Sequence, residues 1–234
     1  FQKSKNKSID IFLKTEKNKI FISNKSIELV LNTKRGCCID KFIDKRLSNN
    51  FLYGFVPHGY YDDIRHGADF YSGHLLIEPL GKHKITDLFS TKNQISHWKN
   101  GIIVSSFFKN KFGKFVKDFI FDGKKNRVGI KFNIDLKKNI NGSIRTGHIT
   151  LNPDIFKKDL FYSTNNGGKN IEKYDLKNSN FDHGEAISHL ISANQALGIT
   201  ENIVKLGDNS KNICISIDRN FDAQVGMIAS KKVN

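Results

Sequence analysis

The chain is poor in several residue types at once: three cysteines, three prolines, one methionine and one tryptophan in 234 residues. Three thiols cannot build a disulfide framework. Cys37 and Cys38 are adjacent and Cys214 stands alone, which is no zinc spacing. Buried free thiols are the expectation, and no metal is expected. No apolar run approaches the roughly 20 residues of a membrane span, so no membrane partner is expected. The motifs GxGxxG, the Walker loop, HExxH and GxSxG are missing. Nucleotide cofactors and serine-hydrolase chemistry therefore have no support, and no cofactor is expected. No signal peptide is visible. The sequence opens on Phe1 rather than Met, which leaves room for a leader or for further domains of a longer chain.

Arginine is scarce as well. The formal charge is +15, yet only six of the 38 cationic residues are Arg. Phosphate and base recognition leans on guanidinium forks. The charge is read as a diffuse, solvated lysine surface, and no nucleic-acid partner is expected.

What is present points to a folded β-protein. Hydrophobic residues make up 38% and aromatics 11%, with 19 Phe, which argues against disorder and for an aromatic-rich core. A chain of this length buries roughly 70% of its unfolded surface. Short β-branched and aromatic runs alternate with Asn, Lys, Ser and Gly turns. They fall at 9–13, 20–22, 27–31, 35–39, 94–98, 102–108, 112–121, 127–136, 143–151, 203–206, 213–217 and 223–229. Spacings of 8–14 residues with turn chemistry between them read as an antiparallel meander. Gly36 marks a bulge or a close backbone approach. Residues 152–182 read as polar connection, and 187–197 as a short helix or a strand. The expected architecture is all-β: one large antiparallel β-sandwich over 1–234, with residues 1–8 frayed and at most one or two short helices.

The run 107–121 interleaves Phe with Lys. That is the look of a stacking platform for single-stranded nucleic acid, and equally of a half-buried strand. Phe115, Lys117 and Phe119 alternate as such a strand should, read here with the lysines outside.

The densest chemistry lies between 57 and 88. His58, Tyr60, Tyr61, Asp62, Asp63, Arg65, His66, Asp69, Tyr71 and His74 fall there, spaced by Gly59, Gly67 and Gly73. Carboxylates beside imidazoles are the raw material of acid–base work. Aromatic faces with Asp, Arg and His between them also suit a sugar, whose apolar face packs on rings while its hydroxyls take hydrogen bonds. An ordered loop satisfying its own backbone remains the alternative. His58, His66 and His74 are eight residues apart, which disfavours a shared metal.

A second constellation is Thr146-Gly-His-Ile-Thr-Leu-Asn-Pro153. His148-Ile-Thr-Leu-Asn152, read as a strand, resembles the His-x-x-x-Asn strand of the galactose mutarotase family. Residues 27–39 with their Arg35-Gly36 step, then Asp44 and Asn49-Asn-Phe-Leu52, are similar to that superfamily's opening strands. The run from Asp182-His-Gly-Glu185 through Glu201 to Gly207-Asp208 looks like the C-terminal sandwich domains of glycoside hydrolases of families 38 and 57. The resemblance implies a mutarotase-like supersandwich and a carbohydrate partner. It also implies either sugar processing, with His148 giving a proton to the ring oxygen, or a non-catalytic accessory role. Gly147 stands where mutarotases carry a polar residue, and the late glutamates Glu185 and Glu201 sit in no matching motif.

Together these readings predict one site. The loop 57–74 is expected to fold over the sheet face carrying His148, so that His58, Asp63, His66, Asp69 and His74 converge on it. Tyr61, Arg65, Tyr71 and Asn152 are the further sugar-binding candidates. If the site is catalytic, a histidine such as His148 is the acid and Asp63 or Glu185 the base.

Overall fold

A computed structural model describes residues 10–55, 71–152, 155–156, 159–165, 168–175, 195–199, 202–218 and 226–230. Among them every regular element is a β-strand and every pairing is antiparallel. The all-β expectation holds. The chain divides into two compact units, 1–155 and 156–234.

The first unit opens with a five-stranded meander: β1 (Phe12–Glu16), β2 (Lys19–Ser23), β3 (Ile27–Asn32), β4 (Cys38–Asp44) and β5 (Tyr53–Gly54). Its alternation is that of a sheet with one covered face. Ile20, Ile22, Ile27, Leu29 and Leu31 are buried while Lys19 is exposed. A bulge shifts the β3–β4 register between Val30 and Leu31. The segment 35–39 is not continuous strand. Gly36 and Cys37 both have positive φ, +63° and +55°, and β4 begins only at Cys38.

Next come β6 (Leu75–Pro79) and β7 (Ile85–Thr86), which join β12 (Gly142–Thr146) in a three-stranded sheet. Between them in sequence runs a second meander, β8 (Lys92–Trp98), β9 (Gly101–Asn110), β10 (Gly113–Asp122) and β11 (Arg127–Leu136). The β10–β11 ladder pairs Gly113 with Leu136 and Asp122 with Arg127 without a slip. Leu75 and Ile77 of β6 pack with Phe115 of β10, flanked by Phe108, Phe132 and Ile144. Lys117 of β10 reaches Cys38 of β4. Sheets thus face one another across a common interior, as in a sandwich.

On β10 the inward parity is odd. Phe115, Lys117, Phe119 and Phe121 are all buried. Each buried Phe contributes about 1.5–3 kcal/mol of transfer free energy. The outward reading of Lys117 is therefore corrected: strand parity puts it in the same row as three core phenylalanines.

The second unit holds β13 (Phe161–Thr164), β14 (Glu172–Asp175), β16 (Ile203–Gly207) and β17 (Asn212–Ser216) in the order β14-β13-β16-β17. A separate pair joins β15 (Gln195–Ile199) to β18 (Gly226–Ser230). β13 and β14 lie in the stretch read as polar connection. Their pairing, with Tyr162 stacked on Tyr174 at 4.9 Å, is a cross-strand effect the local composition hides. Cys37 and Cys38 are buried free thiols as expected, but Cys214 is exposed. It sits on the outward parity of β17, a strand at the end of its sheet.

Candidate functional site

The site is assembled by one serine. The Ser72 hydroxyl donates to the Gly54 carbonyl at 2.7 Å and accepts the Thr150 amide at 2.9 Å. The Ser72 carbonyl accepts from Ile39 N–H at 2.9 Å, and Gly73 N–H donates to the His148 carbonyl at 2.7 Å. Three stretches remote in sequence, at 39, 54 and 148–150, are thereby tied to residues 72–73. Gly73, at φ +79°, is held against the Phe119 ring, which a Cβ would meet at 2.9 Å.

This knot places two histidine rings together. His74 and His148 have centroids 5.1 Å apart, tilted by 48°. His148 does not lie in a strand, as the sequence suggested. It follows β12, which ends at Thr146, because Gly147 turns the chain at φ +69°. His148 is exposed, whereas His74 is 2% exposed. His74 Nδ1 lies 2.5 Å from the Tyr71 carbonyl. A carbonyl can only accept, so the ring proton sits on Nδ1. Burial, and then the neighbouring His148, hold the His74 imidazole far down, at about 3. His74 is therefore a neutral group at pH 7.

Beside the imidazoles lies an aromatic pair. Phe55 and Tyr71 stack at 4.3 Å with 21° between planes, both half-buried. The exposed Arg35 guanidinium stands 6.0 Å over the Tyr71 ring. That is the outer limit of a cation–π contact. Of the sequence candidates, the structure thus brings His148, His74 and Tyr71 together. Asn152 is 3% exposed and holds the segment in place, donating from Nδ2 to the Phe51 carbonyl at 3.1 Å and from its amide to Leu52 at 2.9 Å. His58, Tyr61, Asp63, Arg65, His66, Asp69 and Glu185 lie outside the described residues.

Sequence reasoning missed the polar centre behind this surface. Lys117 Nζ lies 2.6 Å from Asp87 Oδ2, both side chains wholly buried. Asp87 Oδ1 accepts the Leu75 amide at 2.9 Å, and Lys117 also donates to Cys38 Sγ at 3.5 Å. Burial pushes the Asp87 carboxyl up, opposed by the Lys117 ammonium. Burial works to lower Lys117, but Cys38 and Asp87 outweigh it and the ammonium ends above its usual value. The thiols are pushed up by burial, Cys37 to about 12 and Cys38 beyond that. They are inert as nucleophiles. The signal available was parity, since Lys117 shares the 115, 119, 121 row.

A separate shallow recess of about 180 Å³ at the β8–β9 turn is lined by Ile11, His97, Trp98, Lys99, Gly101 and Ile102. None of the sequence candidates lines it. Among the described residues no cluster of three His, Cys, Asp or Glu is placed to hold a metal ion. A chain of contacts thus runs from the exposed His148 imidazole through His74 and the Tyr71 carbonyl to the half-buried Phe55–Tyr71 pair and the Arg35 guanidinium. No family model matches the chain, and neither a curated protein nor a solved structure matches it.

Proposed function

We propose that this chain is a carbohydrate-binding β-sandwich protein of mutarotase-like kind, acting as the accessory domain of a larger glycoside-hydrolase-like protein. The observation that carries the reading is the joining of His148 to His74, Tyr71 and Phe55 by the Ser72 knot. Sugar sites combine aromatic surface with a few polar groups held in fixed directions. Here hydrogen bonds fix the backbone that carries these groups, which limits the backbone ordering that binding would require.

The reading is of binding, with His74 as neither acid nor base. A general acid or base works best with a pKa near the operating pH. His74, at about 3, is far from it. It serves as a neutral, buried neighbour of the exposed His148, its ring 5.1 Å away.

The test is a glycan panel read with the wild type, His148→Ala and Tyr71→Ala, each checked for its melting temperature. Selective binding that weakens in both variants, with melting nearly unchanged, supports the reading. Binding that both variants retain in full, or no glycan binding at all, ends it.

A further inference from the structure

Four arginines fall among the described residues. Arg46 pairs with Asp44, Arg127 with Asp122 at 3.5 Å, and Arg145 with Glu78. Arg35 has no carboxylate partner among the described residues, and its only described contact of this kind is the loose one over Tyr71. Only six of the 38 cationic residues are arginines, and of the four described, Arg35 is the one without a carboxylate beside it. Lys117 lies behind the same surface and is already matched, by Asp87.

The backbone that carries Arg35 is held unusually firmly. Its amide donates to Asn32 at 3.1 Å, and its carbonyl accepts from Cys38 at 3.0 Å. Gly36 N–H donates to Phe89 at 2.8 Å. Gly36 is pressed so close to Asp87 that a Cβ would sit 2.2 Å from the Asp87 carbonyl oxygen. The exposed side chain therefore rises from a fixed base, 6.0 Å from the Tyr71 ring centroid. Tyr71 in turn is tied through its carbonyl to His74.

We propose that the site selects an anionic sugar, its carboxylate or sulfate received by the Arg35 guanidinium while the ring lies against the Tyr71 edge and His148. A guanidinium offers a planar fork that matches either group with two parallel hydrogen bonds. A neutral sugar leaves that fork unused. A nucleic acid is a poorer fit, because a phosphate backbone is gripped by several cations in a row and, among the described residues, Arg35 is the one arginine without a carboxylate partner. This inference rests on the carbohydrate reading of the same site.

The full chain is titrated, at about 0.15 M salt, with oligogalacturonate, a sulfated galactan oligomer, a neutral galactan oligomer and a single-stranded oligonucleotide of matched charge. Wild type, Arg35→Gln, Arg35→Lys and the exposed, distant Lys124→Gln are compared. The expected result is preference for one acidic glycan, weakened roughly tenfold or more in Arg35→Gln, less in Arg35→Lys, and unchanged in Lys124→Gln. The carboxylated and sulfated arms show which anion is taken. Neutral glycan bound as well as acidic, or Arg35→Gln without effect, overturns the inference and leaves the carbohydrate reading standing. Equal loss in Lys124→Gln, or equal binding of the oligonucleotide, overturns it in favour of diffuse charge attraction. No glycan bound at all overturns both.

Discussion

Lys117 and Asp87 form an ion pair at 2.6 Å in which neither side chain is exposed to solvent. It joins β10 to the residue following β7 and lies against Cys38 of β4, so three segments meet on one buried charge pair. Breaking such a pair strands a charge in a low-dielectric interior, whereas replacing both partners removes the desolvation cost along with the attraction. Lys117→Met should destabilise the protein by about 3–5 kcal/mol. Lys117→Met with Asp87→Leu should recover a large part of that loss. Urea denaturation of wild type, single and double variants measures it. A single variant that loses under about 1 kcal/mol, or a double variant no better than the single, contradicts the assignment.

His74 makes stability depend on pH with a definite sign. Its folded pKa, about 3, lies below the ordinary 6.5, through burial and then His148, with Lys117 and Arg145 adding to the effect and the Tyr71 carbonyl opposing it. A depressed folded pKa means the unfolded chain binds the proton better. The stability tied to neutral His74 is complete above pH 6.5 and is lost as pH falls toward 3, by at most about 1.4 kcal/mol per pH unit. Asp87 works the other way, since its carboxyl is raised. Urea midpoints at several pH values between 7 and 4, for wild type and His74→Gln, should show the wild type losing more. Parallel curves would rule out His74 as the source.

Two glycines separate crowding from backbone strain. Gly36 and Gly81 have nearly the same φ, +63° and +66°, but only Gly36 is crowded, with nothing within 4 Å of a Cβ at Gly81. Gly81→Ala should cost about 1 kcal/mol, the conformational penalty alone. Gly36→Ala should cost at least twice that, because the Asp87 backbone must also move. Equal losses in thermal melts would show that the turn relaxes freely.

The lysine-rich surface should bind oligonucleotides weakly and lose them as salt approaches about 0.15 M. Fluorescence anisotropy against salt checks this. Micromolar binding that survives physiological salt would contradict a diffuse charge.

Much of the strand rhythm was legible because it is local: 127–136 alternates between clear turns, and β11 occupies those residues. The polar run 152–182 hid β13 and β14, since cross-strand partners rather than composition make them strands. At the site, His148, His74 and Tyr71 were visible as residue types. Their meeting was not, because it depends on a serine hydroxyl bridging positions 78 residues apart. Arg35 appeared in sequence only as part of a strand-like step. Gly36 did mark a close backbone approach, but that the approach is to the Asp87 backbone, 51 residues on, was not legible locally. Lys117 was misjudged because lysine is so rarely buried that residue type outweighed parity.

The Ser72 knot also bears on the order in which the molecule folds and opens. The β8–β11 ladders join neighbours in sequence through short turns, and such local pairings close cheaply. The bonds from residues 72–73 to Thr150 and His148 must wait until β6 and the chain beyond β12 have both arrived. The surface around His148 is therefore completed late in folding. Amide exchange should be slow along Phe115–Phe121, while exchange at Gly54, Gly73 and Thr150, whose amides are bonded within the knot, should report its opening.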